Sequence, residues 1–180
     1  MINIRNETLS DIDAREDILD AAMGEARFRK TSARLREGRM PADGLALVAE
    51  DETGALVGTV RLWNVAAGSH DALLLGPLAV APDAQSRGVG SLLMRSAITR
   101  AAALGHRAVL LVGDAPYYAR FGFSAGPTAR LHMPGPYEPA RFLARELVAD
   151  ALNGAEGVLR ATGLFVPAPV AAEAGLQVAA

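Results

Sequence analysis

Between Ala72 and Val112 the chain passes from an apolar strand through a helix to a second apolar strand, and this unit restricts the fold more than any other feature. Ala72 to Val80 forms the first strand, interrupted by Gly76-Pro77. The helix that follows brings Leu93, Ala97, Ala101 and Leu104 to one face and closes at Gly105, because a glycine just past the last turn takes left-handed backbone at little steric cost. Ala108 to Val112 is continuously apolar, the pattern of a strand buried on both faces. Two strands joined through a helix in this way run parallel in one sheet, with a right-handed crossover.

Upstream, Leu45 to Glu50 and Leu56 to Trp63 are apolar, β-rich runs separated by Asp51-Glu52-Thr53-Gly54, which predicts a hairpin with a positive φ at the glycine. Ile2 and Ile4 alternate with polar neighbours as a short strand does. Ser10 followed by Asp13 predicts a helix start, running toward Met23. A second helix is expected from Arg27 to Arg39, with Phe28 and Leu35 on one face and a stop at Gly38 and Pro41. Downstream come a short helix from Ala115 to Phe121, ended by Gly122, and strand-like pieces at Phe123 to Leu131 and Phe142 to Val148 around Met133-Pro134-Gly135-Pro136. The order βααβββαβαββ predicts an α/β fold: one mixed, twisted sheet with helices on both faces.

Composition removes several kinds of chemistry. The 180 residues contain no cysteine, so a disulfide scaffold, a thiolate-held zinc and a cysteine nucleophile are all excluded. A hydrophobic share of 51% supports a packed core. A net charge of −2 gives no bias toward nucleic acid or an anionic membrane. The N-terminus lacks a basic start followed by an apolar run, and no stretch approaches the roughly 18 apolar residues of a spanning helix; the expected location is cytoplasmic, with no membrane partner. His70, His106 and His132 lie far apart without ligand spacing, so no metal site is expected.

The densest chemical signal is Leu78-Ala79-Val80-Ala81-Pro82-Asp83-Ala84-Gln85-Ser86-Arg87-Gly88-Val89-Gly90-Ser91-Leu92-Leu93. A strand ends, a short loop follows, and two glycines flank one residue as a helix begins. The first four N–H groups of a helix lack internal partners and its dipole favours an anion. Glycines at 88 and 90 remove Cβ atoms that would keep a phosphate away, and Arg87 adds a positive charge. A plain structural turn fits the glycines as well. A Walker loop is disfavoured by the missing glycine–lysine–serine/threonine ending, and a dinucleotide fingerprint by leucine at position 93 where a third glycine belongs.

Gln85-Ser86-Arg87-Gly88-Val89-Gly90 resembles the Q/R-x-x-G-x-G/A coenzyme A loop of the GCN5-related N-acetyltransferases, and Tyr117-Tyr118-Ala119-Arg120-Phe121-Gly122-Phe123 resembles that family's downstream tyrosine-x-x-x-glycine-phenylalanine segment. The resemblance covers about Leu45 to Phe123. It implies an acyltransferase using acetyl-CoA as co-substrate and an amine acceptor, either a small molecule or a peptide. It places the pyrophosphate of coenzyme A on the loop, with Gln85, Ser86, Arg87, Gly88, Val89 and Gly90 as its binding residues, and the pantetheine arm on main-chain groups of Leu78 and Val80. It makes Tyr118, four residues before the glycine, the general acid that protonates the departing thiolate, with Tyr117 the fallback. The asparagine that many relatives carry ahead of this tyrosine is absent; Asp114 is expected to cap the helix at Ala115-Pro116 instead. On this view residues 1–162 form one acetyltransferase domain and 163–180 an Ala/Pro/Gly-rich C-terminal tail or arm, whose apolar residues would suit a homodimer contact.

The general base is left open among Glu50, His70, Asp71 and ordered water. Arg27, Lys30 and Arg34 fall at helical spacing on one face, either a solvated surface or a recognition site for an acidic acceptor. A basic stripe without aromatic platforms does not suit nucleic acid. Two other functions compete: a non-catalytic acyl-CoA-binding regulatory module, and a nucleotide-binding protein using the same loop.

Overall fold

A computed structural model describes residues 1–167. The elements in chain order are β1 (Asn3–Asn6), α1 (Ile12–Met23), β2 (Ala46–Glu50), β3 (Leu56–Ala67), β4 (His70–Val80), α2 (Val89–Ala103), β5 (Ala108–Val112), α3 (Ala115–Ala119), β6 (Leu131–His132), β7 (Phe142–Glu146), β8 (Gly157–Val158) and β9 (Arg160–Ala161). The main sheet runs β1-β2-β3-β4-β5-β7, with β9 on the β3 edge beyond β2; β6 and β8 form a separate two-stranded sheet. In the main sheet every pair is antiparallel except β4–β5. The hairpin forms as expected, with Gly54 at φ +84°.

Strand alternation divides the core. Leu62, Leu73, Leu75, Val109 and Leu111 pack with Leu93, Met94, Ala97 and Ala101 of α2 in one cluster. Val65, Leu74, Ala108 and Leu110 face the other way, against Leu131, Phe142, Leu152 and Leu159. Strand β5 therefore feeds both clusters, which is why it is apolar throughout. Gly58 lets α2 approach: a Cβ there would stand 2.9 Å from Leu93 Cδ1 and 3.1 Å from the Ala79 oxygen. Each fully buried leucine at this seam contributes about 1.5–3 kcal/mol relative to exposure. Helix α1 covers the opposite face, where Ile18 and Leu19 pack on Ala79.

Four local expectations give way. Residues 27–39 do not form an α-helix; Glu25–Arg29 and Thr31–Leu35 are separate 3-10 turns, with Lys30 extended between them. Phe28 is 65% exposed and only Leu35 is buried, so no apolar stripe holds a long helix down. Phe123 to Leu131 is not a strand, because Gly126-Pro127 opens a 3-10 turn and Ser124 makes one bridge to Ala144. Leu104 lies at the C-cap of α2 and is exposed, outside the face made by Leu93, Ala97 and Ala101. The N-terminal cap is a box between Thr8 and Asp11 rather than Ser10: the Asp11 carboxylate accepts from Thr8 N–H at 2.7 Å.

After β9 the chain stays on the body, for Leu164 O accepts from Met40 N–H at 2.8 Å and Val166 N–H donates to Gly38 O at 2.9 Å. The rest of the expected tail, from residue 168, lies outside the described residues, as does any dimer contact it would make.

Candidate active site

Strands β4 and β5 pair only at Leu73–Val109 and Leu74–Leu110, although β4 continues to Val80. Beyond Leu75 one edge of β4 has no strand beside it. Its other edge stays on β3, where Ala79 lies opposite Thr59 and Val80 opposite Gly58. Ala81 N–H donates to Val57 O at 2.9 Å, and in an antiparallel ladder every second residue bonds across. Ala79 and Ala81 therefore point their polar groups at β3, while Leu78 and Val80 point theirs into the open slot. The Val80 carbonyl meets only a long contact from Gln85 Nε2, at 3.5 Å.

At the end of β4 a 3-10 turn over Pro82–Ala84 leads into the loop. Ser86 (φ +62°) and Gly88 (φ +80°) are both left-handed and flank Arg87, after which Val89 opens α2. Leu92 is the first residue of the helix whose N–H bonds backward, to Gly88 O at 3.0 Å. Among the described residues, the N–H groups of Ser86 to Ser91 donate to no protein acceptor. Six consecutive unpaired donors at a helix N-terminus make an anion cradle. A Cβ on Gly88 would meet nothing within 4 Å, and one on Gly90 would meet Tyr117 Oη and Val80 Cγ2 at 3.5 Å. The glycines keep this space empty, as the sequence suggests, and the left-handed positions are Ser86 and Gly88. Serine at 86 carries no signal of that conformation.

The cradle opens into a cavity of about 330 Å³ lined by Val80, Gln85, Ser86, Gly88, Gly90 and Tyr117, among others. The cation on its wall is Arg120, whose guanidinium stacks 4.5 Å over the Tyr117 ring. Arg87 is exposed and does not line it. Arg120 lies inside the tyrosine segment of the sequence and was detectable there as the one cation between Tyr118 and Gly122.

Helix α3 holds the two tyrosines. Asp114 caps it through Tyr117 N–H at 3.1 Å, as expected, and Pro116 needs no donor in the first turn. Tyr117 reaches the start of α2. Tyr118 stacks edge-on against Tyr117 (5.0 Å between centroids, 85°) and packs on Phe123 and on Gly113, at the end of β5. Burial pushes the Tyr118 hydroxyl up to about 12 from its ordinary value near 10. The Tyr118 ring is thus packed against the end of β5, and the tyrosine that lines the cavity at the cradle is Tyr117.

The other predicted groups are dispersed. Glu50 accepts from Arg5 Nε at 2.7 Å, and this hydrogen bond holds its carboxyl below the usual range, so it is a poorer base than a free glutamate. His70 and Asp71 open β4 opposite Ala67 and Ala66; at about 3.3 Å per residue they lie roughly 20 Å from Pro77. Arg27, Lys30 and Arg34 do not stack on one helix, although Arg27 and Arg34 both line a cavity of about 320 Å³. Arg27 is buried and paired with Glu16 and Asp20, Lys30 is exposed, and Arg34 donates to Pro134 O at 2.9 Å. Among the described residues no group of three or more metal-ligating side chains comes together, and no helix is long and apolar enough to cross a membrane.

Three comparisons with known proteins converge on this geometry. The family model described as acetyltransferase (GNAT) domain matches residues 42–125, which contain the slot, the cradle and α3. The uncharacterized N-acetyltransferase YhbS of Escherichia coli strain K12 is 32% identical over 117 residues, covering 64% of this chain and 70% of that protein. The uncharacterized N-acetyltransferase YjhQ of the same strain is 33% identical over 118 residues, covering 63% of this chain and 65% of that protein. Among solved structures, Escherichia coli YhbS in complex with CoA is similar with a TM-score of 0.74 at 28% identity over 89% of each chain. A GNAT family acetyltransferase from Brucella melitensis in complex with acetyl-CoA gives 0.58 at 26% identity, covering 81% of this chain and 96% of that one. A mixed sheet splayed between β4 and β5, a donor-lined helix start at the splay and these relatives agree: the chain belongs to the GNAT family of N-acetyltransferases.

Proposed function

We propose that the protein transfers an acetyl group from acetyl-CoA to a primary amine of a small molecule or peptide in the cytoplasm, with no nucleic acid, membrane or metal involved. The observation that carries this is the row of unpaired N–H groups from Ser86 to Ser91, opening beside the unpaired edge of β4. The fit to coenzyme A is chemical: a pyrophosphate needs several donors at short range, and here six are free, with room where Gly88 and Gly90 lack side chains. Arg120 adds charge at the rim, and the outward groups of Leu78 and Val80 can pair with the pantetheine amides as another strand would.

Acetyl-CoA supplies an acetyl thioester beside β4. Attack by a neutral amine puts negative charge first on the carbonyl oxygen and then on sulfur. A main-chain N–H of Leu78 or Val80, fixed by the β3 ladder, stabilises the first. Tyr118 serves the second as the general acid. Burial raises its hydroxyl to about 12, so it is protonated at neutral pH and donates to the sulfur as charge builds there; the proton it gives to the departing thiolate is made good by the one the amine loses. Water in the slot takes the amine proton, since Glu50, His70 and Asp71 are elsewhere or occupied.

Isothermal titration with acetyl-CoA, followed by thiol release with a panel of amines, tests the proposal. Saturable binding and amine-dependent release are expected. Tyr118→Phe should keep acetyl-CoA affinity and lose roughly 10²-fold or more in rate. No acetyl-CoA binding would refute the assignment, and full binding without turnover, unaffected by Tyr118→Phe, would make the protein an acyl-CoA-binding regulatory module.

A further inference from the structure

On the α1 face of the sheet, beside the point where β4 leaves β5, a cavity of about 90 Å³ is lined by Arg15, Arg27, Arg36, Arg61, Trp63 and Pro77, among others. It adjoins a larger cavity of about 320 Å³, with which it shares Arg27 and Arg36. Four guanidinium groups meet here, and three carboxylates answer them. Glu7 takes Arg15 and Arg61, Glu16 takes Arg15 and Arg27, and Asp20 takes Arg27. Among the described residues Arg36 is in ion-pair contact with none. It donates to the carbonyl of Ser32 at 3.1 Å, makes a long contact to Gly76 O at 3.5 Å, and lies over the Trp63 ring at 5.3 Å. Arg15 and Trp63, which also line the cavity, are 6% and 5% exposed, and neither Arg15 Nε nor Trp63 Nε1 has an acceptor among the described residues; both atoms are enclosed, which leaves the Arg36 guanidinium as the group with donors to offer a ligand.

We propose that this cavity receives the carboxylate of the acceptor, so that the enzyme acetylates small primary amines that carry a carboxylate and Arg36 is the group that recognises it. The inference rests on the acetyltransferase assignment and names its acceptor class. A planar guanidinium binds a carboxylate through two parallel hydrogen bonds, and the small volume suits that group better than a tetrahedral phosphate. Pro77 on the cavity wall directly precedes Leu78, whose main chain faces the slot, so an acceptor anchored at Arg36 presents its amine toward the thioester. Burial and the charge of Arg27 push the Arg36 guanidinium down to about 10, which leaves it fully cationic at neutral pH and short of a counter-charge.

Matched amines test this: glycine, β-alanine and γ-aminobutyrate against methylamine, ethylamine and propylamine, each pair differing only in the carboxylate. In the wild type kcat/KM should favour the acid by about tenfold or more for at least one pair, the range of charged hydrogen bonds. Arg36→Met should bring that ratio to within about threefold of unity, and Arg36→Lys should retain part of it, while acetyl-CoA affinity stays within about twofold in both. A ratio is unaffected by a general loss of folded enzyme. Calorimetry of the same six amines on the CoA complex provides the readout if turnover is slow. Equal handling of acid and amine, a preference that survives Arg36→Met, or preference for O-phosphoethanolamine over every carboxylate overturns the proposal while leaving the acetyltransferase assignment intact. Failure to bind acetyl-CoA at all removes both.

Discussion

Gly113 is a steric switch on Tyr118, and Gly113→Ala is the sharpest perturbation available. A Cβ built at Gly113 would stand 2.2 Å from Tyr118 Cε2, 2.8 Å from Cδ2 and 3.1 Å from Cζ. Carbon atoms rest at about 3.5–4.0 Å, so the ring must retreat by more than ~1 Å. It cannot do so freely, because Tyr117 and Phe123 pack against it. The backbone itself accepts alanine, since Gly113 is absent from the positive-φ positions and its N–H stays bonded to Arg141 O at 2.9 Å. Overpacking of this kind costs about 1–3 kcal/mol, which at this chain length is about 2–4 °C of Tm per kcal/mol.

The kinetic effect should exceed the thermal one. Displacement of a reacting group by about 1 Å can cost on the order of 10²-fold, so thiol release should fall ~10–100-fold while acetyl-CoA affinity, set at the cradle on α2, changes by less than about threefold. The decisive form is a cycle with Tyr118→Phe. If alanine at 113 acts by moving the phenol, it adds little once the hydroxyl is gone. Wild-type rate in Gly113→Ala, or losses that multiply fully in the double variant, would refute the placement of Tyr118 at the sulfur.

Two further outcomes follow from the same geometry. Gly90→Val fills space that Tyr117 Oη and Val80 Cγ2 leave at 3.5 Å from a Cβ, so calorimetry should show acetyl-CoA affinity falling about tenfold or more, while valine in place of glycine in a helix leaves Tm near wild type. Tyr118 also sets a pH limit on stability. Its folded value of about 12 lies above an unfolded value near 10, so its contribution is complete below pH ~10 and is lost as pH rises through 12; alkaline unfolding curves should show the wild type losing about 2–3 kcal/mol more than Tyr118→Phe across that window, and parallel curves would contradict the burial of the phenol.

What the sequence made legible was local. The hairpin at Gly54, the strand–helix–strand unit and the cap at Asp114 each depend on residues within a few positions, and each appears in the structure. The cradle was legible for the same reason, apart from the left-handed Ser86. Residues 27–39 misled because helical spacing of charges looks the same whether or not an apolar stripe backs it, and Arg27 is drawn instead to carboxylates on α1. The arginine cavity was illegible. Its members come from positions 15, 27, 36, 61, 63 and 77, and only the packing of α1 against β3 and β4 brings them together.

Alternation along β4 gives the two halves of the site their separation. The side chains of Leu78 and Val80 pack with the α2 cluster, those of Pro77 and Ala79 face α1, and the main chain between them is open toward β5. On the proposed reading, coenzyme A held at the start of α2 and an acceptor anchored at Arg36 would approach one strand from opposite faces of the sheet, at the stretch of β4 that β5 leaves unpaired beyond Leu110. Had the β4–β5 ladder continued to Val80, it would have consumed the outward main-chain groups of Leu78 and Val80. The splay would then serve both as the binding surface for the thioester arm and as the route by which the amine reaches it, and the length of one parallel ladder would govern the chemistry.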